Sequence, residues 1–184
     1  MKIVRFVSKV DPGKCNGDKR CEILCPAGAI KVVEKVARVE ESRCVACGKC
    51  REICGEEAVE MVRRSRPLTI RFDGTSVDQG EIQSLCGRAG LLPDLPLCAC
   101  TGTTVGEMAA AILRGARSPE DVVVWTGAGS GCGIYCMAVI FKLFACAGVP
   151  IPDDPRWNHL PLTSHDIPEE IAEKYPEYHF ESLV

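Results

Sequence analysis

Residues 44–54 read CVACGKCREIC, a stretch in which three cysteines stand two residues apart and a fourth follows after three more. Residues 15–25 repeat this spacing 29 positions earlier, with one exception. At that exception Asp18 occupies the place that Cys47 holds in the second copy. Each copy runs into a segment rich in β-branched residues, which predicts two similar halves built from a cysteine loop, a short helical turn and strands. Residues 29–33 and 36–40 are expected to form a hairpin that turns at Glu34-Lys35, and residues 2–7 are expected to pair with residues 58–62.

The cysteine spacing predicts two interlocked iron–sulphur clusters. A tight loop of small residues lets three thiolates converge on one cubane, while the fourth thiolate lies too far along the chain and reaches the other cluster. The first cluster is then expected to be held by Cys15, Cys21 and Cys54, with Asp18 at its remaining corner. The second is expected to be held by Cys44, Cys47, Cys50 and Cys25. Zinc is the alternative, but it needs four ligands in one tetrahedron, which this interlocked spacing suits badly.

Asp18 makes the two predicted clusters unequal. A carboxylate is a harder and weaker ligand for iron than a thiolate. The first site is therefore expected to carry either a [4Fe–4S] cluster with one labile iron or a [3Fe–4S] cluster. The alternative is that Asp18 faces solvent in the Gly-Asp-Lys turn of residues 17–19 and binds nothing.

Residues 1–63 resemble a bacterial-type 2[4Fe–4S] ferredoxin. The resemblance rests on the cysteine ladder and on Cys25-Pro26, which matches the Cys-Pro that ends the family's motif. Gly55 stands where the family has a second such proline, and Asp18 stands where the family has a cysteine. Some ferredoxins of this family carry such an aspartate. The resemblance implies a two-fold (βαβ)2 fold and a function in electron transfer.

A second set of cysteines lies further along the chain and comprises Cys98, Cys100, Cys132 and Cys136. The segment between its two pairs predicts two helices, one capped by Thr104 and one by Ser118 ahead of a proline. Glycines surround the third cysteine and would let the backbone approach its sulphur. Cysteines near helix N-termini suit an anionic cluster, because amides and the helix dipole point towards it. This pattern predicts a third cluster.

Residues 98–149 resemble the bacterioferritin-associated ferredoxin type of [2Fe–2S] domain. The matching features are the Cys-x-Cys start, the TVGEM and SPED helix starts, and the glycine-rich loop that runs into Cys132. The family ends in Cys-x2-Cys, whereas three residues separate Cys132 from Cys136 here. A [2Fe–2S] cluster is the first expectation. The alternatives are a third [4Fe–4S] cluster, with Cys86 as a spare ligand, and zinc.

The composition limits which partners and which cellular location we expect. The chain has 184 residues, 13 cysteines and a formal net charge of −3, so nothing in it calls for nucleic acid as a partner. Its first residues lack the features of a secretory signal peptide, which predicts a cytoplasmic protein whose thiolates bind metal. The longest apolar stretch, residues 133–149, is short for a membrane span and carries Lys142, so it predicts a buried helix. Cys146 is expected in the core of that helix.

The sequence predicts an α+β chain in four parts. Residues 1–66 form a two-cluster ferredoxin domain, and residues 67–97 form a connector with a strand over residues 67–72 and a short helix over residues 79–86. Residues 98–149 form a small helical iron–sulphur domain, and residues 150–184 form an extended tail. The tail is rich in proline and contains Trp157, so it is suited to wrapping around a partner.

We expect the chain to be an electron-transfer subunit of a larger oxidoreductase and not itself an enzyme. The alternatives are a free-standing carrier, an enzyme that uses an open iron site at Asp18, and a regulator of iron release. The domain layout resembles the small subunits of tungsten enzymes of the aldehyde:ferredoxin oxidoreductase type, including class II benzoyl-CoA reductases. This resemblance implies a catalytic partner of anaerobic metabolism that uses tungsten, molybdenum or flavin.

Overall fold

The computed structural model describes residues 2–70, 72, 76–133, 135–151, 154 and 169–178. The chain divides into two compact units, Met1–Pro152 and Asp153–Val184. The second unit contains a helix, Glu169–Lys174, and a 3-10 helix, Pro176–Tyr178. Most of the predicted tail, including Trp157, lies outside the described residues.

Two β-α-β segments make up the N-terminal part of the first unit. The first segment comprises β1 (Lys2–Val10), α1 (Arg20–Leu24) and β2 (Ile30–Val33). The second comprises β3 (Val36–Val39), α2 (Lys49–Ile53) and β4 (Val59–Ile70). β1 pairs with β4 and β2 pairs with β3, both antiparallel. This order of elements confirms the predicted α+β class and its two-fold N-terminal repeat.

The β2–β3 hairpin turns at Glu34 and Lys35, as the sequence predicted. Val33 pairs with Val36 across the turn, and the two turn residues have φ angles of 51° and 63°. Two residues with positive φ match the twist of the flanking strands. The first cysteine loop packs closely on this turn, because a Cβ on Gly17 would lie 2.7 Å from the Lys35 backbone. Only glycine therefore fits at that position of the loop.

The β1–β4 ribbon is longer than the sequence predicted. Its register extends as far as Lys2 opposite Ile70, with a register shift just beyond Val4. We expected β1 to pair with residues 58–62, and residues 67–72 to form a separate strand of the connector. β1 has nine residues, and its backbone groups need partners along their whole length. β4 supplies those partners by continuing through the start of the predicted connector.

Four helices follow in the described part of the first unit: α3 (Gln79–Arg88), α4 (Val105–Leu113), α5 (Pro119–Thr126) and α6 (Tyr135–Cys146). The predicted caps are confirmed. The Thr104 hydroxyl accepts from the Glu107 amide, and the Glu107 carboxylate accepts from the Thr104 amide, which forms a capping box. Ser118 accepts from the Asp121 amide at 3.3 Å, immediately before Pro119 at the start of α5.

The helical core joins residues from α3, α4 and α6. Its largest fully buried side chains include Leu85, Met108, Ile112, Ile140, Leu143 and Phe144. α4 packs against the other three helices, and α3 also packs against α6. Residues 79–86 were expected to form a short helix within the connector. Since α3 buries an apolar face against α4 and α6, it is part of this core.

The apolar stretch at residues 133–149 contains α6, which has 12 residues. α6 buries Phe141, Leu143 and Phe144, so the predicted buried helix is confirmed. Cys146, which we expected in the core, is half-buried at the end of α6. In the part of the chain that the structure describes, no helix is long and apolar enough to cross a membrane.

Candidate metal centres

The four cysteines predicted for the second cluster line one small cavity, and they are Cys25, Cys44, Cys47 and Cys50. Cys25 caps the C-terminus of α1, whereas the others lie in the loop that leads into α2 and in its first turn. The cavity therefore draws its thiols from both halves of the repeat. Ser8 on β1 and Ile30 on β2 also line it.

The residues predicted for the first cluster line another cavity, and they are Cys15, Asp18, Cys21 and Cys54. Cys54 caps the C-terminus of α2, so the exchange between the halves is reciprocal. Equivalent hydrogen bonds hold the two exchanged cysteines. The Ala29 amide donates to Cys25 Sγ at 3.3 Å, and the Ala58 amide donates to Cys54 Sγ at 3.4 Å.

The structure thus gathers both predicted ligand sets, while their ligation of iron stays a prediction. Among the described residues, no group of three or more histidine, cysteine, aspartate and glutamate side chains is arranged to hold a single metal ion. The ligands of a polynuclear cluster bind separate iron atoms around its frame. Soft thiolate donors that line one cavity fit such a cluster.

Burial opposes ionisation of these thiols in the absence of metal. Burial, together with the charges of Cys50 and Cys15, raises the pKa of the Cys21 thiol to about 11. Burial also raises the pKa of Cys47 and the pKa of Cys50. A thiol must lose its proton to bind a metal, and cationic iron stabilises the resulting thiolate. The sites are therefore built for a bound cluster and not for free thiolates.

Ser8 is a residue of the second site that sequence analysis missed. Its side chain is buried on β1, and its Oγ lies 3.1 Å from Cys50 Sγ and 3.9 Å from Cys44 Sγ. The hydroxyl can donate to a thiolate at Cys50, and such bonds tune the reduction potential of a bound cluster. A lone serine in a strand belongs to no motif, so the sequence carried no signal for it.

Asp18 lies at the exposed rim of the first cavity. Its Oδ1 accepts from the Arg20 amide at 3.0 Å, and its own amide donates to Asn16 Oδ1 at 3.1 Å. Hydrogen bonds of this kind are typical of a turn, whereas the position on the cavity wall is that of a cluster ligand. Asp18 thus takes part in the hydrogen bonds of a turn and also lines the first cavity.

The four cysteines predicted for the third cluster lie close together as two pairs. One pair is Cys98 and Cys136, and the other is Cys100 and Cys132. Cys98 and Cys136 are buried, and they lie close enough for the charge of one to act on the other. The Cys132 amide donates to Cys100 Sγ at 3.4 Å. Burial, and then the charge of Cys98, raises the pKa of Cys136 to about 12, and the charge of Cys132 adds to this rise. The two pairs are thus adjacent, as a shared cluster requires.

Two further contacts shape the third site. Thr101 Oγ1 donates to Cys98 Sγ at 3.1 Å, another contact that the sequence did not indicate. Gly131 packs directly on Cys100, because a Cβ on this glycine would lie 2.6 Å from Cys100 Sγ. Cys100 and Cys132 are exposed, so one side of this site faces the surface.

The remaining cysteines lie apart from these contacts. Cys86 is completely buried on α3, where burial raises the pKa of its thiol. The [4Fe–4S] alternative for the third site would use Cys86 as a spare ligand. Cys146 lies at the end of α6, and its carbonyl accepts from Arg88 Nε at 3.2 Å.

Replacing Asp18 by cysteine tests the labile corner. We expect mild oxidation of the wild type to give the EPR signal of a [3Fe–4S] cluster, because a carboxylate holds its iron less covalently than a thiolate. Asp18→Cys should suppress that signal. If the variant converts as readily as the wild type, Asp18 is a turn residue and not a ligand.

Replacing Gly131 by alanine should remove the third cluster selectively. The new methyl group would collide with the Cys100 side chain, whereas both cavities of the N-terminal half lie on other elements. Iron analysis and EPR should show loss of the two-iron signal and retention of the four-iron signals. Gly87→Ala is the control, since nothing lies within 4 Å of a Cβ at that position of α3. A full two-iron signal in Gly131→Ala would contradict this packing.

Replacing Ser8 by alanine should lower the potential of the second cluster. The variant removes a hydrogen bond that stabilises the more negative, reduced state, an effect on the order of 1 kcal/mol. An EPR-monitored redox titration measures the shift. Ser42→Ala serves as the control, because that exposed hydroxyl donates to Glu40 and not to a thiol. Equal potentials in Ser8→Ala and the wild type would show that the hydroxyl does not act on the cluster.

Comparison with known families agrees with the geometry of the three sites. Residues 8–55 match the family of 4Fe-4S dicluster domains. Residues 96–145 match the family of BFD-like [2Fe-2S] binding domains. No curated protein and no solved structure shows significant similarity to the chain. With its cysteines gathered as described, the chain is an iron–sulphur electron-transfer protein that combines a 4Fe-4S dicluster region with a BFD-like [2Fe-2S] domain.

Proposed function

We propose that the protein is the electron-transfer subunit of a larger oxidoreductase and connects a catalytic subunit to an external redox partner. One observation carries this proposal. All three cysteine sets lie in a single compact unit, Met1–Pro152, and not in separate units of the chain. Such an arrangement suits a relay with fixed distances between its sites.

The side chains and backbone of this unit hold and shield the proposed cofactors. Bound iron–sulphur clusters supply one-electron storage and transfer. The thiols of the second site are the best shielded, since Cys25, Cys44 and Cys50 are buried. Amide and hydroxyl donors, such as those of Ala29 and Ser8, stabilise negative charge on the sulphurs.

The first and third sites lie nearer the surface than the second. Asp18 is exposed at the first site, and Cys100 and Cys132 are exposed at the third. Exposed apolar side chains accompany them, with Ile23 on α1 and Tyr135 at the start of α6. An exposed apolar side chain beside a redox site suits docking of another protein. We infer that these two sites exchange electrons with partners.

The catalytic partner that we propose is a tungsten, molybdenum or flavin enzyme of anaerobic metabolism, on the basis of the domain layout. The C-terminal segment, residues 150–184, would contact it, as its content of proline and aromatic residues suggests. We place the protein in the cytoplasm, because its many thiolates need a reducing compartment to bind iron. A chain that only relays electrons needs no substrate site of its own, so we do not propose that it is an enzyme.

Anaerobic purification of the tagged full chain from its native host tests the proposal. We expect iron and sulphide for two four-iron-class clusters and one two-iron cluster. We also expect a larger subunit that contains tungsten, molybdenum or flavin to co-elute in gel filtration. Elution of the metallated chain alone would contradict the subunit role and favour a free-standing carrier. Iron for only two clusters would contradict the three-site relay.

A further inference from the structure

The loops of the second four-iron site lie at the junction with the helical domain. Arg43, which precedes Cys44, donates from Nε to the Ala27 carbonyl at 3.0 Å. Its Nη2 lies 3.2 Å from Oδ1 of Asp121 in the first turn of α5. The two charged side chains are only 28% and 25% exposed. This ion pair therefore ties the loops around Cys25 and Cys44 to α5.

Close packing between the dicluster region and α5 also contributes to this junction. A Cβ on Gly28 would lie 3.2 Å from Glu120 Cγ, and Glu120 is only 5% exposed. Val123 of α5 is fully buried and belongs to the same core cluster as Val4 and Ile30. The dicluster region and the helical domain thus share a continuous core, and the second site lies on the side of that core next to α5.

Lys49 crosses the junction towards the third site. It lies between Cys47 and Cys50 of the second site. Its Nζ lies 3.0 Å from the point where a Cβ on Gly133 would stand, and Gly133 directly follows Cys132. Lys49 therefore belongs to the ligand loop of the second site, while its ammonium group touches the loop of the third.

The repeat provides a matched counterpart for Lys49. Arg20 occupies the corresponding position in the first copy, directly before Cys21. It is exposed and lines the cavity of the first site. The two basic residues thus share one place in the repeat, but only Lys49 has a described contact with Gly133.

We propose that the ammonium group of Lys49 lies beside both the second four-iron site and the two-iron site, and that its positive charge raises the reduction potential of both clusters. The proposal rests on the function proposed above, and it makes these two sites neighbours. The site that carries Asp18 is then the outer end of the series. A positive charge in a partly buried junction acts strongly on nearby negative charge. It therefore favours, at both sites, the state that holds one more electron.

An EPR-monitored redox titration of the anaerobically purified full chain tests this proposal in Lys49→Gln. We expect the midpoint potentials of the second four-iron cluster and of the two-iron cluster both to fall. At a fixed potential the ratio of reduced to oxidised cluster should drop about threefold or more at each site, or about 28 mV for a one-electron couple. Lys49→Arg should restore both potentials, because it keeps the positive charge.

Arg20→Gln is the matched control and should lower only the potential of the first cluster. The proposal is overturned if Lys49→Gln shifts the second cluster alone, or if neither potential changes while the iron content is that of the wild type. Such a result would leave the proposed function intact, since that function depends on the presence of the three clusters and on the partner.

A measurement on the wild type covers the case in which Lys49→Gln fails to retain its clusters. Neighbouring paramagnetic sites broaden or split each other's signals. We expect the two-iron signal to broaden when the second four-iron cluster is also reduced, and to be unaffected by reduction of the first cluster alone. Independence of the two-iron signal from the second cluster would overturn the proposal without any variant.

Discussion

The burial of closely spaced cysteines, whose thiolates would repel each other, is the constraint on which the rest of the structure depends. Four cysteines belong to the buried core of the N-terminal half, namely Cys21, Cys25, Cys44 and Cys50. Burial and neighbouring charge raise the pKa of Cys21 to about 11, so thiolates are stable there only beside cationic iron. Metal binding therefore contributes free energy of folding to a core that contains few large side chains. Alanines such as Ala29 and Ala58 leave space beside the sulphurs and donate their amides to them.

The two-fold repeat uses one backbone arrangement twice and makes its sites unequal with a few side chains. Asp18 stands at the position that corresponds to Cys47. Ser8 lines the second cavity, whereas Ala37 lines the first. Ligand type and hydrogen bonds to sulphur both affect the potential of a cluster. Two sites with nearly the same backbone can thus serve as an exposed end and a shielded middle of one relay.

Local signals in the sequence were sufficient where a short segment decides its own geometry. The hairpin at Glu34-Lys35 and the helix starts at Thr104 and Ser118 depend on neighbouring residues alone, and the structure confirms them. The extent of β4 and the place of α3 were not predictable in this way. β4 continues because β1 offers pairing groups, and α3 joins the core because α4 and α6 accept its apolar face.

The sequence by itself determined which cysteines could act together, because ligand spacing within a tight loop limits which thiolates can reach one cluster. The cavities contain the two sets that this spacing predicted. Only the tertiary structure decided what surrounds them. Ser8 meets Cys50 across 42 positions of sequence, and Arg43 meets Asp121 across 78. Such contacts depend on how separate elements pack against each other, and no local spacing encodes that packing.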